Sequence, residues 1–252
     1  MTDTKAVNQN EMSAKDRIIV ALDVSDMQSA EKLVRMLGHE IGYFKVGMEL
    51  YYSVGPAVID MIKAAGSKVF LDLKLHDIPN TVAQGARAIA RTGADMINVH
   101  AAGGCEMMQK TAEALAALEA ETGKPRPKLI AVTVLTSLDQ RAVSEEVGLS
   151  RPIRAQVQHW AGLAQQSGLD GVVASPQELA AIREECGPDF ITVIPGVRPA
   201  WADQNDQKRI MTPGEAVAAG ATHLVIGRPI TRAADPRQAV EKIIHEIEEA
   251  LR

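Results

Sequence analysis

Two charged side chains alternate with leucines in a short apolar run of this chain. Residues 69–75 read Val-Phe-Leu-Asp-Leu-Lys-Leu, an alternation that predicts a β-strand. Because successive strand residues point to opposite faces, Asp72 and Lys74 share one face of that strand. On an edge strand this face would simply meet water. Inside a closed sheet, burial of an ionised side chain costs free energy unless the charge is paired or takes part in the function. This stretch is therefore the candidate catalytic segment.

Two further charges belong with this pair. Lys45 lies in an earlier apolar run, and Asp77 follows Lys74 by three positions. The four residues supply two cations and two anions, and each charge favours the ionised form of its neighbours. On the charges alone, the cluster is either catalytic or a structural network of salt bridges.

His76 and His100 raise the question of a metal site. A divalent metal here would need carboxylates at the ends of the early strands, but Lys45 occupies one such position and its charge would repel the ion. We therefore assign both histidines to packing or to hydrogen bonds behind the site, and we predict no metal. Cys105 and Cys186 have no metal-ligand spacing and form no disulfide framework, so we predict no thiol chemistry.

Eight short runs rich in branched aliphatic residues alternate with helical segments, which predicts a parallel sheet. The predicted strands are residues 18–22, 44–46, 69–73, 96–99, 129–135, 171–174, 191–194 and 223–226. Eight such units in 252 residues fit one α/β domain, a single (β/α)8 TIM barrel. No Gly-x-Gly-x-x-Gly motif follows the first strand, which argues against an open dinucleotide-binding sheet.

Helix signals fall between these strands. Ser25 and Asp26 can cap the helix Met27–Leu37, which Gly38 ends. The dipeptide Asp235-Pro236 predicts the start of the last helix, after which apolar residues recur at helical spacing.

Polar residues end nearly every predicted strand, at the face where TIM barrels carry their active sites. They are Asp23, Lys45, Asp72 with Lys74, His100, Thr136, Ser175, Arg198 and Gly227 with Arg228. Arg198 and Arg228 follow the last two strands, where such barrels bind phosphate, and Gly227 allows a ligand to approach the backbone. The pattern predicts a phosphate-bearing substrate. Two connections are longer than a simple barrel needs: 137–170 can hold a helix plus an excursion, and 196–213 is predicted to be a functional lid that closes over the phosphate.

The composition excludes several classes of protein. A net charge of −5 argues against a nucleic-acid or membrane-surface binder, since phosphate backbones require a basic face. No run of 18 apolar residues could form a membrane span. Residues 1–15 are polar and lack the apolar centre of a signal peptide, so we predict a cytoplasmic protein with a flexible leader at 1–15 and a barrel at 16–252.

The motifs resemble those of the orotidine 5′-phosphate decarboxylase family, in order and over nearly the whole chain. The Asp-x-Lys-x-x-Asp core is shared with related metal-dependent enzymes, whereas its extension through Ile-Pro-Asn-Thr, together with Lys45, is more specific. The matching segments are 21–23 (Ala-Leu-Asp), 44–47 (Phe-Lys-Val-Gly), 72–81 (Asp-Leu-Lys-Leu-His-Asp-Ile-Pro-Asn-Thr), 99–101 (Val-His-Ala), 134–137 (Val-Leu-Thr-Ser), 195–199 (Pro-Gly-Val-Arg-Pro) and 226–229 (Ile-Gly-Arg-Pro).

The resemblance implies decarboxylation of orotidine 5′-phosphate to uridine 5′-phosphate in pyrimidine synthesis, without metal or cofactor. It implies a catalytic group of Lys74, Asp72, Lys45 and Asp77, with Lys74 as proton donor to C6 of the pyrimidine. The resemblance also implies that Asp23 and Lys45 hold the ribose hydroxyls and that Thr136 contacts the pyrimidine edge. It implies that the phosphate is held by Arg198, Gln207, Gly227 and Arg228. Asp77 and Thr81 are implied to reach across a homodimer interface into the site of the neighbouring subunit.

Two alternatives belong to other functional classes. One is a metal-dependent sugar-phosphate decarboxylase or aldolase on the same barrel, which the position of Lys45 argues against. The other is a phosphate-ligand binding or scaffold protein in which the charged cluster is only structural. Loss of activity to a chelator would favour the first, and nucleotide binding without turnover would favour the second.

Overall fold

Eight parallel strands close into a barrel in chain order, each pairing with the next and β8 pairing with β1. The structure, a computed structural model, describes residues 12–202 and 211–252. The predicted (β/α)8 fold is confirmed. The strands are β1 Ile18–Ala21, β2 Tyr43–Gly47, β3 Lys68–Leu75, β4 Met96–His100, β5 Lys128–Val132, β6 Gly171–Val173, β7 Ile191–Ile194 and β8 His223–Ile226.

Helices connect the strands and cover the outside of the barrel. Asp26 caps the first of them by accepting a hydrogen bond from the Ser29 N–H, and Asp235 caps the last, as predicted. The long connection at 137–170 contains two of these helices. The helices are α1 Met27–Leu37, α2 Met48–Val54, α3 Ala57–Ala64, α4 Pro79–Ala90, α5 Gly104–Thr122, α6 Gln140–Glu145, α7 Ile153–Gln166, α8 Leu179–Cys186, α9 Pro213–Ala218, α10 Arg228–Thr231 and α11 Pro236–Ala250.

Strand β5 ends earlier than its sequence pattern predicts. The apolar run continues to Leu135, but the strand stops at Val132 because its neighbour β6 has only three residues. The Thr133 N–H and hydroxyl both donate to the carbonyl of Val173, the last residue of β6, and Leu135 is already 40% exposed. The chain therefore leaves the sheet where pairing partners end.

Two apolar cores lie on the two faces of the sheet. The larger fills the space between strands and helices, and Leu71 of β3 belongs to it, with Leu73 and Leu75 packed against it. The smaller fills the lower barrel interior with Ile19, Tyr43, Phe70, Met96, Ile130, Ile191 and Val193. Since inward-facing residues recur at every second position, the interior becomes charged two residues further along β2 and β3, at Lys45 and Asp72.

Parts of two predicted segments lie outside the described residues. Residues 1–11 of the predicted leader are not described, whereas Ala14 is 5% exposed and packs in the outer core. The boundary predicted at residue 15 thus falls within packed structure. Residues 203–210 of the predicted lid are also outside the description. Among the described helices, none is long and apolar enough to cross a membrane.

Candidate active site

Strand β3 departs from regular pairing at the charged residues. Leu71 and Leu75, four positions apart, pair with Ile97 and Val99 of β4, which are only two positions apart. Within this irregular stretch Lys74 has a φ of 55°, and it is the one non-glycine residue with positive φ among those described. A lysine in the left-handed region is uncommon, and such conformations persist only where surrounding contacts enforce them.

Asn98 supplies such contacts from the facing strand β4. Its Oδ1 accepts a hydrogen bond of 2.8 Å from the backbone N–H of Lys74. Its Nδ2 donates to Oδ1 of Asp72 at 2.7 Å. The side chain is 1% exposed, so both polar ends of a buried amide are used on the irregular stretch of β3.

Four charged side chains form a chain across the carboxyl ends of β1, β2 and β3. The Nζ of Lys74 donates to Asp72 Oδ1 at 2.7 Å. The Nζ of Lys45 lies 3.4 Å from Asp72 Oδ2 and 3.4 Å from Asp23 Oδ1. Gly47 leaves room for this ammonium, because a Cβ there would lie 3.2 Å from Lys45 Nζ. The alternating charges give each cation a carboxylate partner.

A cavity of ≈ 180 Å³ opens beside this charged chain. Lys45, Asp72, Lys74 and Thr136 are its polar lining. The rest of its wall is apolar, contributed by Phe70, Val132, Val134, Leu135, Val173, Ala174, Pro195 and Val225. A planar ring can therefore enter with one side against charge and the other against hydrocarbon.

A second cavity of ≈ 200 Å³ adjoins the first and shares Lys45, Pro195 and Val225 with it. Arg198, Gly227 and Arg228 line this second cavity, as the strand-end pattern predicts. Arg198 is 6% exposed, and its backbone N–H donates to the carbonyl of Met211. Gln207, predicted for the same cavity, lies outside the described residues.

Asp77 and Thr81 are not brought into either cavity within one chain. Both are exposed, and the Asp77 carboxylate accepts the N–H of the adjacent Ile78 at 2.7 Å. Ile78 is 68% exposed, an unusual position for a large apolar side chain. At the carboxyl end of β3, Lys74 thus lines the cavity, whereas Asp77 is exposed outside it.

The two histidines form a contact at the ends of β3 and β4. The His76 and His100 rings lie 5.3 Å apart, centroid to centroid, with a tilt of 34°. Burial lowers the pKa of His100, and the neighbouring His76 and Lys74 lower it further against the opposing charge of Asp72. Among the residues described, no three His, Cys, Asp or Glu side chains are grouped as a metal site requires.

Two features of this site have no clear signal in the sequence. Asn98 is a single amide in the run Met-Ile-Asn-Val-His, and its partners became identifiable only from the register of β3 and β4. The apolar wall is built from single residues of several strands that look like ordinary core positions. The charged residues, in contrast, are conspicuous in the sequence because they interrupt apolar runs.

Comparison with known proteins gives consistent matches. Residues 16–243 match the model of the "Orotidine 5'-phosphate decarboxylase / HUMPS family". The chain is 57% identical over 237 residues to the orotidine 5′-phosphate decarboxylase of Moorella thermoacetica, covering 94% of each chain. It is 51% identical to that of Syntrophomonas wolfei, over 94% of this chain and 100% of the relative. The crystal structure of the Lactobacillus acidophilus orotidine 5′-phosphate decarboxylase is similar with a TM-score of 0.81 and 41% identity, over 91% of this chain and 98% of that one.

Proposed function

This chain belongs to the orotidine 5′-phosphate decarboxylase / HUMPS family, and we propose that it converts orotidine 5′-phosphate to uridine 5′-phosphate and CO2 without metal or cofactor. The observation that carries the proposal is the position of the Lys74 ammonium. It lies 2.7 Å from Asp72 Oδ1 and lines a cavity whose other walls are mostly apolar. A fixed cation at the edge of an apolar cavity is what this reaction requires.

The chemical difficulty is the fate of one electron pair. When the bond between C6 and the carboxylate breaks, the pair stays on C6 in an sp2 orbital that no adjacent π system can delocalise. The proposed site compensates with a preorganised positive charge where the negative charge develops. Lys74 then transfers a proton from Nζ to C6, and solvent returns a proton to the lysine.

Asp72 has two proposed tasks. Its carboxylate contacts Lys74 and Lys45 through different oxygens, which fixes both ammonium groups. It also lies beside the proposed position of the substrate carboxylate, whose departure relieves repulsion between two anions. Lys45 and Asp23, 3.4 Å apart, are proposed to hold the ribose hydroxyls, and Thr136 is proposed to contact the pyrimidine edge.

The phosphate is proposed to occupy the second cavity. Arg198 and Arg228 supply guanidinium groups there, and Gly227 lets the phosphate approach the backbone. For slow uncatalysed reactions an enzyme lowers the barrier by up to roughly 23 kcal/mol, more than one lysine can supply. Binding energy at a phosphate distant from C6 is therefore proposed to contribute to the rate as well as to affinity. Gln207 is proposed as a further phosphate ligand by family resemblance alone.

The working unit is proposed to be a homodimer. Asp77 and Thr81 face outward at the exit of β3, and this placement supports their role in the site of a second copy. Exposed apolar side chains follow β2 and β3, namely Met48 at 46%, Tyr52 at 71% and Ile78 at 68%. Buried together, such residues would stabilise a symmetric interface. We propose that the reaction takes place in the cytoplasm.

Replacement of Lys74 tests the proposed function. We expect Lys74→Ala to lower kcat by at least a thousandfold while the fold is kept, because both the fixed charge and the proton are lost. The measurement is ultraviolet detection of orotidine 5′-phosphate consumption in the presence of a chelator. Lys68→Ala is the matched control, since Lys68 begins the same strand at the opposite end of the barrel.

Three outcomes would contradict the proposal. Near-normal turnover by Lys74→Ala would remove the assigned proton donor. Loss of wild-type activity in the chelator, with recovery on adding magnesium, would instead support a metal-dependent sugar-phosphate decarboxylase or aldolase on the same barrel. Binding of uridine 5′-phosphate by a wild-type protein that turns over no substrate would identify a binding protein.

A further inference from the structure

Asn98 is a buried polar residue that no step of the proposed reaction uses. It lies in the middle of β4 and is 1% exposed. Its amide oxygen accepts a hydrogen bond from the backbone N–H of Lys74 at 2.8 Å, and its amide nitrogen donates to the Asp72 carboxylate at 2.7 Å. Neither contact is a regular sheet hydrogen bond, so sheet formation alone does not account for this amide.

The irregular pairing of β3 explains why Lys74 needs a side-chain partner. The pairing resumes at Leu75 only after two more residues have been used on β3 than on β4. The Lys74 N–H, in the left-handed region at φ 55°, donates to Asn98 Oδ1. An unpaired buried N–H costs free energy, and so does the left-handed conformation, so the amide offsets the strain at this residue.

We propose that Asn98 is a positioning residue for the reaction at C6, an inference that rests on the proposed function. It fixes the Lys74 side chain at both ends. The acceptor Oδ1 holds the backbone from which the lysine side chain starts, and the donor Nδ2 holds the carboxylate that the lysine ammonium contacts. The ammonium therefore has a defined position before substrate enters.

Such a role predicts an effect on kcat rather than on substrate binding. The cavity lined by Arg198, Gly227 and Arg228 follows β7 and β8, across the barrel from β4. Asn98 lines neither that cavity nor the one beside Lys74. A displacement of about 1 Å in a reacting group can lower a rate by roughly a hundredfold, whereas phosphate contacts would be untouched.

Two nearly isosteric variants separate the two contacts. Asn98→Leu removes both, and we expect kcat to fall at least a hundredfold. Asn98→Asp keeps an acceptor for the Lys74 N–H but removes the donor to Asp72, and we expect a fall of at least tenfold. In both variants KM and the Kd for uridine 5′-phosphate, measured by calorimetry, should stay within threefold of wild type.

The control variant is Thr111→Val, which removes a buried hydroxyl in α5 that donates to Met107 and contacts no site residue. It should leave kcat unchanged even where its melting temperature falls. A folded Asn98→Leu or Asn98→Asp protein with kcat within threefold of wild type would overturn the inference, as would a rise in KM that accounts for the whole loss. If Asn98→Leu does not fold, Asn98→Asp decides alone. A wild-type protein without turnover would contradict the proposed function instead, and the two failures are therefore distinguishable.

Discussion

Asp72 joins three neighbours through a single carboxylate. Its Oδ1 accepts hydrogen bonds from Lys74 and Asn98, each at 2.7 Å, and its Oδ2 lies 3.4 Å from the Lys45 ammonium. Two cations and one neutral amide thus contact the same carboxylate. Substitutions at these residues should therefore be non-additive, because each one changes the contact that the others make.

At the scale of single residues, the sequence predicts charge better than conformation. Asp72 and Lys74 were predicted to share a face, and both line the same cavity. The positive φ of Lys74 was not predictable, because an alternating run shows no sign of the additional residues that interrupt its pairing. The contacts of Asn98 were not predictable for the same reason, since they depend on the register of the neighbouring strand β3.

His223 makes the stability of the protein dependent on pH. It is 4% exposed at the start of β8, with Nδ1 2.9 Å from the Thr222 hydroxyl and its ring edge-to-face with Tyr43. Burial, with smaller contributions from the charges of Arg17 and Lys68, lowers the pKa of His223 from 6.5 to about 3. The unfolded chain therefore binds a proton near pH 6.5, where the folded chain does not.

We expect the free energy of unfolding to fall as the pH decreases below about 6.5, by up to about 1.4 kcal/mol per pH unit from this residue. Urea denaturation between about pH 5 and pH 7 measures this slope, and His223→Asn should reduce it. His245→Asn, on the exposed face of α11, controls for the substitution itself. An identical slope in wild type and His223→Asn would contradict the assignment.

At the scale of elements, a recurring side-chain contact fixes the amino ends of alternate strands. In three cases the side chain of the residue just before β4, β6 or β8 accepts a hydrogen bond from a backbone N–H. The donor is the second residue of the preceding strand, β3, β5 or β7. The pairs are Val69 with Asp95 at 2.7 Å, Leu129 with Asp170 at 2.7 Å and Thr192 with Thr222 at 2.9 Å. These contacts extend the sheet by one hydrogen bond beyond its backbone pairing and thereby fix the strand register.

Asp170 is the most heavily used of these acceptors. Besides the Leu129 N–H, it pairs with both terminal nitrogens of Arg126, at 2.6 and 3.0 Å, and lies 3.6 Å from the Lys128 ammonium. Burial alone would lower the pKa of Arg126, but the hydrogen bond and charge of Asp170 raise it. Removal of this carboxylate would leave a largely buried guanidinium and a strand N–H without their partner.

We expect Asp170→Ala to lower the free energy of unfolding by about 3 kcal/mol. Urea denaturation measures the loss, and Glu145→Ala is the control because its ion pair with Arg141 is 65% exposed on both sides and should contribute less than about 1 kcal/mol. The kcat of the folded variant should equal that of wild type, since Asp170 lies at the barrel end opposite the site. Equal stability of Asp170→Ala and Glu145→Ala would contradict the expectation.

Element boundaries were predictable where an apolar run begins and ends together with the strand. Strands β7 and β8 begin and end at the predicted residues. β5 was predicted too long and β3 too short, since sheet pairing depends on the length of neighbouring strands rather than on local composition. The sequence of one strand contains no information about where its partner stops.

At the scale of the whole molecule, the two ends of the barrel have different physical tasks. The amino end contains the strand-fixing contacts and the buried His223, which affect stability. The carboxyl end contains the charged chain, the two cavities and the exposed apolar side chains, for which we propose roles in binding and reaction. We therefore expect substitutions at the amino end to change stability without changing the chemistry.

The proposed exchange of Asp77 between subunits gives the most direct prediction at this scale. In a symmetric dimer each site would combine Lys74 of one chain with Asp77 of the other. We expect Lys74→Ala and Asp77→Ala to be separately inactive. After mixing and subunit exchange, mixed dimers would contain one intact site, and random pairing should restore roughly one quarter of wild-type activity per chain.

A second mixture distinguishes this arrangement from simple stabilisation by the partner. Asp72 and Lys74 of one chain contact each other at 2.7 Å, so both should belong to the same site. Mixing Lys74→Ala with Asp72→Ala should therefore restore no activity, because every site would lack one of the two residues. Equal recovery of activity in both mixtures would contradict the exchange of Asp77, as would no recovery in the mixture that contains Asp77→Ala. An active monomer detected by light scattering would contradict the dimer itself.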